Sequence, residues 1–93
     1  MEKLEIQNLV EEIIQEQHAI EDEETLEVYI KEAEYDINYS VGYKINYETD
    51  LSARSLLKNY VLYSRYKRLA EFKQIYGGEY ALLQAKYYKP SEL

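Results

Sequence analysis

The sequence predicts an all-α protein, a small bundle of about four helices around one long central helix, and three observations predict it. Apolar residues recur at 3-and-4 spacing from Ile6 to Ile14 and again from Leu26 to Ile37. A run of good helix formers extends from Leu51 to Tyr76 without Gly or Pro. Asp22 and Asp50 each stand where a helical pattern begins, the position at which a short carboxylate caps free backbone N–H groups.

The first element covers residues 3 to 17. Ile6, Leu9, Val10, Ile13 and Ile14 form one stripe, and Glu5, Glu11, Glu12 and Glu16 fall mostly off it. His18 to Asp22 interrupts the pattern. The second helix then runs from about residue 23 to about 40, with Leu26, Tyr29, Ile30, Ala33 and Ile37 inward and carboxylates in its first turn, where the helix dipole favours them. Gly42 ends it. Tyr43 to Thr49 reads as a loop, with Tyr43, Ile45 and Tyr47 alternating. From Asp50 the pattern predicts a helix of about 26 residues, roughly 39 Å at 1.5 Å per residue, stopped by Gly77-Gly78. Its apolar residues, among them Leu56, Tyr60, Tyr63, Tyr66, Phe72 and Tyr76, surround the axis, as on a helix contacted from several sides. A short last helix, about 79 to 88, carries Tyr80, Leu83 and Tyr87 before Pro90. No internal repeat, linker or low-complexity tract stands out, so residues 1 to 93 read as one domain.

Charge is divided along the chain. Residues 1 to 36 hold thirteen acids against Lys3 and Lys31, a balance of −11, and residues 37 to 93 hold five acids against nine bases, a balance of +4. An acidic front and a basic rear imply that one half faces something of opposite charge, for which another copy of the chain is a candidate. Tyrosine is the second unusual quantity, at 12 of 93 residues with no Cys and no Trp. Its apolar ring and polar tip suit half-buried positions and contact surfaces. A domain of this size buries only roughly 60 to 65 per cent of the surface its unfolded chain exposes, and without disulfides oligomerisation is the remaining route to added stability.

The same composition excludes several functions. No stretch approaches 18 uncharged apolar residues and the N-terminus is acidic, so the expectation is a chain neither secreted nor membrane-spanning. A pI near 4.7 argues against a free-standing nucleic-acid binder. One His, no Cys and scattered Ser offer no nucleophile with its base, so the reading is a non-enzyme without cofactor or metal, and His18 reads as a solvated side chain. Glu21 to Glu24 lacks the alternating ligands and central Gly of a calcium loop and reads as a solvated helix opening.

Two surfaces stand out as candidates for subunit contact. Tyr35 and Tyr39 lie off the Leu26 to Ile37 stripe, either for a neighbouring copy or for packing against the 43 to 49 loop. Tyr63, Arg65, Tyr66, Lys67 and Arg68 are the second, within a segment from Tyr60 to Lys73 that mixes rings with bases, as single-strand binding surfaces do, or as rings that pack while their bases pair with nearby acids.

The stretch EETLEVYIKEAEYDINYSVGY, followed by a loop and the LSARSLLKNYVLYSRYKRLAEF helix, resembles the small head-tail connector proteins of tailed phages, also called head-completion adaptors. The matching residues are Tyr29, Ile30, Ala33, Tyr39 and Gly42, then Leu62, Tyr63 and Arg65, within about residues 22 to 88. Residues 1 to 20 match nothing in that pattern, and the loop before the long helix lacks the Pro that relatives often carry. The resemblance implies a helical virion protein at the head-tail junction, present in the host cytoplasm before assembly. It implies a ring of about a dozen copies between the portal protein and a tail-side head-closure protein, with viral DNA passing through and no sequence-specific contact. The acidic second helix of one copy is then expected to meet the basic long helix of the next. The competing readings are a small prophage regulatory or nucleic-acid-binding protein and a generic helical adaptor for one protein partner.

Overall fold

A computed structural model describes residues 1–90. It is all-α, with five helices: α1 (Lys3–Gln17), α2 (Glu23–Val41), α3 (Leu51–Arg65), α4 (Leu69–Ile75) and α5 (Gly77–Lys86). The stripes expected in the first two helices are the ones that face inward. Ile6, Leu9, Val10 and Ile13 of α1, and Leu26, Ile30, Ala33 and Ile37 of α2, form one core with Ala53, Leu56, Leu57, Tyr60 and Val61 of α3.

Local chemistry sets the helix ends. Asp22 accepts a hydrogen bond from the Thr25 amide at 2.8 Å and Asp50 one from the Ala53 amide at 3.0 Å, so both carboxylates cap as their positions require. Gly42, with φ of 76°, takes the left-handed conformation that closes α2 and returns its N–H to the Asn38 carbonyl. The loop after it is held from inside: the Asn38 side-chain oxygen accepts from the Tyr47 hydroxyl at 2.8 Å and the Ile45 amide at 3.3 Å, and Ile45 and Tyr47 are buried.

The expected 26-residue rod is not formed. It is divided into α3, α4 and α5, and α2, packed by α1, α3 and α5, is the central helix. α3 stops where Lys67 adopts φ of 56°, the Arg68 amide reaches the Tyr63 carbonyl at 2.8 Å and the Lys67 amide reaches that of Ser64 at 3.1 Å. These two bonds make a Schellman closure with lysine in the place usually held by glycine. The reason is length: α1 and α3 are 15 residues each, so a continuous rod would leave the bundle and carry Phe72, Tyr76 and Leu83 into water. Folding back instead buries Phe72 completely and Leu83 almost so. Gly77 and Gly78 therefore open α5 rather than ending a helix.

Pairing across elements gives the directions. Glu12 meets Arg54 and Lys58, and Gln17 meets Lys58 and Arg65, so α1 and α3 run parallel. On the other side Asp36 meets Tyr80 and Ser40 meets Gln84, both 44 residues apart, which lays α5 parallel to α2.

Candidate interaction surfaces

The acidic front and basic rear meet within one chain. Arg54 donates to Glu12, Lys58 bridges Glu12 at 3.2 Å and Glu16 at 3.0 Å, Arg65 pairs with Glu21 at 2.9 Å, and Lys73 pairs with Asp36 at 3.2 Å. Burial alone would raise the carboxyls of Glu12 and Glu21, yet the bonds from Arg54 and Lys58 on one and from Arg65 on the other hold both below the usual carboxylate range. Much of the charge asymmetry is thus spent on the α1–α3 seam.

This placement divides the residues singled out for subunit contact. Arg65 has only 5% of its side chain exposed and also donates to the Gln17 side chain at 3.2 Å, so it belongs to the fold. Tyr63 is half-buried against Phe72. Arg68 pairs with Glu71 on its own turn at 2.7 Å. Tyr66, 62% exposed, and Lys67, which makes no ion pair among the described residues, remain available at the α3–α4 turn, beside a shallow depression of about 230 Å³.

A cage of tyrosines surrounds Phe72. The rings of Tyr60, Tyr63, Tyr76 and Tyr80 lie 5.3, 5.7, 4.8 and 6.1 Å from it, edge-on, tilted or offset. Burial pushes the Tyr60 hydroxyl up to about 12. The Tyr80 hydroxyl is raised further by burial and by its 2.9 Å bond to Asp36. Of the rings expected to surround a long rod, Tyr60, Tyr63, Phe72 and Tyr76 are packed within the chain itself and Tyr66 stays exposed. With Tyr60 buried and Arg65 engaged, the Tyr60 to Lys73 segment is not an open stacking platform.

The C-terminal end of α5 is tied to the start of α3. Asp50, nearly buried, accepts from the Tyr87 hydroxyl and from Lys86 at 2.9 Å while it caps α3. Burial opposes its charge, and the bonds from Tyr87, the Ala53 amide and Lys86 outweigh that and lower its pKa. The reciprocal bond to Asp50, followed by burial, pushes Tyr87 up to about 12.

The outer face of α2 is left uncovered. Tyr35 and Tyr39 are 72% and 78% exposed and stack on each other at 6.1 Å, so neither packs on the 43 to 49 loop. They border an open groove of about 570 Å³ that continues to Tyr43 and Lys44. Two of its neighbours escaped the sequence reading. Val28, half exposed, precedes Tyr35 by seven residues on the same face, a spacing that was legible; the Tyr43–Tyr87 stack at 4.3 Å required α5 to lie along α2.

Among the described residues, no three of His, Cys, Asp and Glu converge on a point that would hold a metal ion, and no helix is long and apolar enough to cross a membrane. In the acidic run, Glu21 binds Arg65 and Asp22 caps α2. Comparison with protein-family models, curated proteins and solved structures finds no match.

Proposed function

We propose that this protein is a structural component of a tailed phage or prophage particle, a head-tail connector that assembles as a ring beneath the portal protein, above a tail-side head-closure protein, and lines part of the DNA passage. The observation that carries the reading is the display of Tyr35, Tyr39 and Tyr66 to solvent, as exposed as Tyr88 near the C-terminal end, on a small helical domain whose remaining rings pack on the core or, as Tyr43 does on Tyr87, stack within the fold. Large aromatic side chains held rigidly in water are the composition of contact surfaces rather than of catalytic clefts. The resemblance over residues 22 to 88 supplies the class of assembly.

In this reading the contact between copies sets the Tyr66–Lys67 turn of one against the carboxylates of Glu11 and Glu27 of the next, which line a groove of about 270 Å³ between α1 and α2. Arg65 and Arg68 take no part, since Glu21 and Glu71 already hold them. Surplus carboxylates facing the channel repel DNA phosphates over about 8 to 10 Å and let the duplex slide. Of the Tyr60 to Lys73 segment only the Tyr66 ring and the Lys67 cation stay open and unpaired, which favours a local protein contact over a nucleic-acid groove.

The test is imaging of particles formed from this protein and the portal protein of the same genome. Rings bound to the portal support the reading, and Lys67→Glu is expected to reduce them with the helical content unchanged. Portal particles that stay bare at saturating protein would contradict it.

A further inference from the structure

The uncovered face of α2 changes character along its length. Glu24 is exposed near its start, Val28, Tyr35 and Tyr39 stand along its middle and end, and Lys44 follows just past it, with Lys89 over the Tyr43 ring at 5.3 Å. Lys44 and Lys89 make no ion pair among the described residues, nor do Lys3, Lys67 and the exposed Lys31 that lines the same groove, whereas Arg54, Lys58, Arg65, Arg68, Lys73 and Lys86 all do. A helical face with an acid at one end, cations at the other, and between them apolar side chains with one exposed cation, Lys31, and one exposed acid, Glu32, complements itself when turned end for end.

We propose that a second copy of this chain docks on this face, α2 against α2 in antiparallel fashion about a two-fold axis. Val28 of one copy then lies beside Tyr39 of the other, and Glu24 lies beside Tyr43 and Lys44. The antiparallel arrangement also opposes the two helix dipoles, and the patch, being the same on both copies, closes at two. A nucleic-acid strand is a poorer occupant, because Glu24 and Glu32 share the face and the chain carries −7 overall. Two tyrosines, a valine and the flanking aliphatic stems cover on the order of 500 Å² per copy, below the roughly 800 Å² of a standard interface. The dimer is therefore weak, dependent on concentration and loosened by salt. This contact stands apart from the ring reading, which uses Glu11, Glu27, Tyr66 and Lys67.

Sedimentation velocity of the full chain over a concentration series, at low and at high salt, tests the proposal. The parent is expected to pass from monomer to dimer and stop there, with less dimer at high salt. Tyr35→Ser with Tyr39→Ser is expected to weaken association by at least about tenfold while circular dichroism stays unchanged, since both rings are exposed. Lys44→Glu and Glu24→Lys are each expected to weaken it, and an equal mixture of the two is expected to restore it, because the mixed pair has opposite charges at both ends. Each of these outcomes would overturn the proposal: a parent monomeric throughout; single-charge variants that associate like the parent; a mixture that restores nothing; and growth beyond two that the tyrosine variant abolishes, which marks a head-to-tail contact. Tyrosine-dependent binding of a short oligothymidine without a dimer assigns the face to nucleic acid and overturns it as well.

Discussion

The α1–α3 seam and the α4–α5 hook are joined to the same core by opposite means. The seam is a row of partly solvated ion pairs, Glu12 with Arg54 and Lys58, Glu16 with Lys58, and Glu21 with Arg65. The hook is a fully buried Phe72 inside four tyrosine rings, with the Tyr80 hydroxyl fastened to Asp36 and, outside the cage, the Tyr87 hydroxyl fastened to Asp50. Exposed pairs are worth about 0 to 1 kcal/mol each, while removing a buried aromatic ring costs about 3 to 5 kcal/mol. The comparison teaches that the visible charge pattern sets which helices lie side by side, and that the less visible rings supply more of the stability.

Phe72→Ala makes the largest break. It empties the centre of the cage and is expected to lower stability by about 3 to 5 kcal/mol, which for a domain of this size moves the melting temperature by well over 10 °C. Urea unfolding followed by circular dichroism measures it; a loss under about 1 kcal/mol would show that the cage is not what holds the hook.

Arg65→Ala is the corresponding break in the seam. Its guanidinium is almost wholly enclosed, but Glu21 is about one-quarter exposed, so the expected loss is about 2 kcal/mol, less than a deeply buried pair would give. Arg68→Ala, whose partner Glu71 lies on its own turn in water, is expected to change the urea midpoint very little.

Titration separates the two regions with the smallest effects. The carboxyls of Glu12, Glu21 and Asp50 sit below their usual range in the folded chain, so their contribution is present above about pH 4 and is lost as pH falls through the lowered values. Tyr60 and Tyr87 titrate near 12 in place of about 10, so theirs is complete below about pH 10 and is lost as pH rises through 12. Acid is thus expected to loosen the seam and, through Asp50, the C-terminal end of α5, and alkali the aromatic hook. Hydrogen exchange at both extremes checks this, and early loss of protection in α4 at acid pH would count against it.

Much of the scaffold was legible in the chain. The apolar stripes place α1 and α2, and Asp22, Asp50 and Gly42 mark their own roles because caps and left-handed turns depend on local chemistry. The break after Arg65 was not legible: Lys67 is no turn residue by composition, and what bends the chain there is the shelter waiting for Phe72, a property of the assembled bundle. The charge division was visible but its partner was not. A linear count of charge cannot say whether Glu21 meets Arg65 of the same chain or of another, and only the parallel alignment of α1 with α3 settles it. Of the contact candidates, Tyr35 and Tyr39 are exposed as their register off the stripe requires, while Tyr63 and Arg65 are drawn inward by helices whose direction no local pattern sets.

The central claim is that opposite charges close this domain upon itself and leave the outer face of α2 for contact. It is tested most directly by urea unfolding of the parent and Arg65→Ala at protein concentrations roughly a hundredfold apart. The account predicts the same loss, about 2 kcal/mol, at both concentrations. A loss that appears only in the concentrated sample would place the partner of Arg65 on a neighbouring copy and contradict the account.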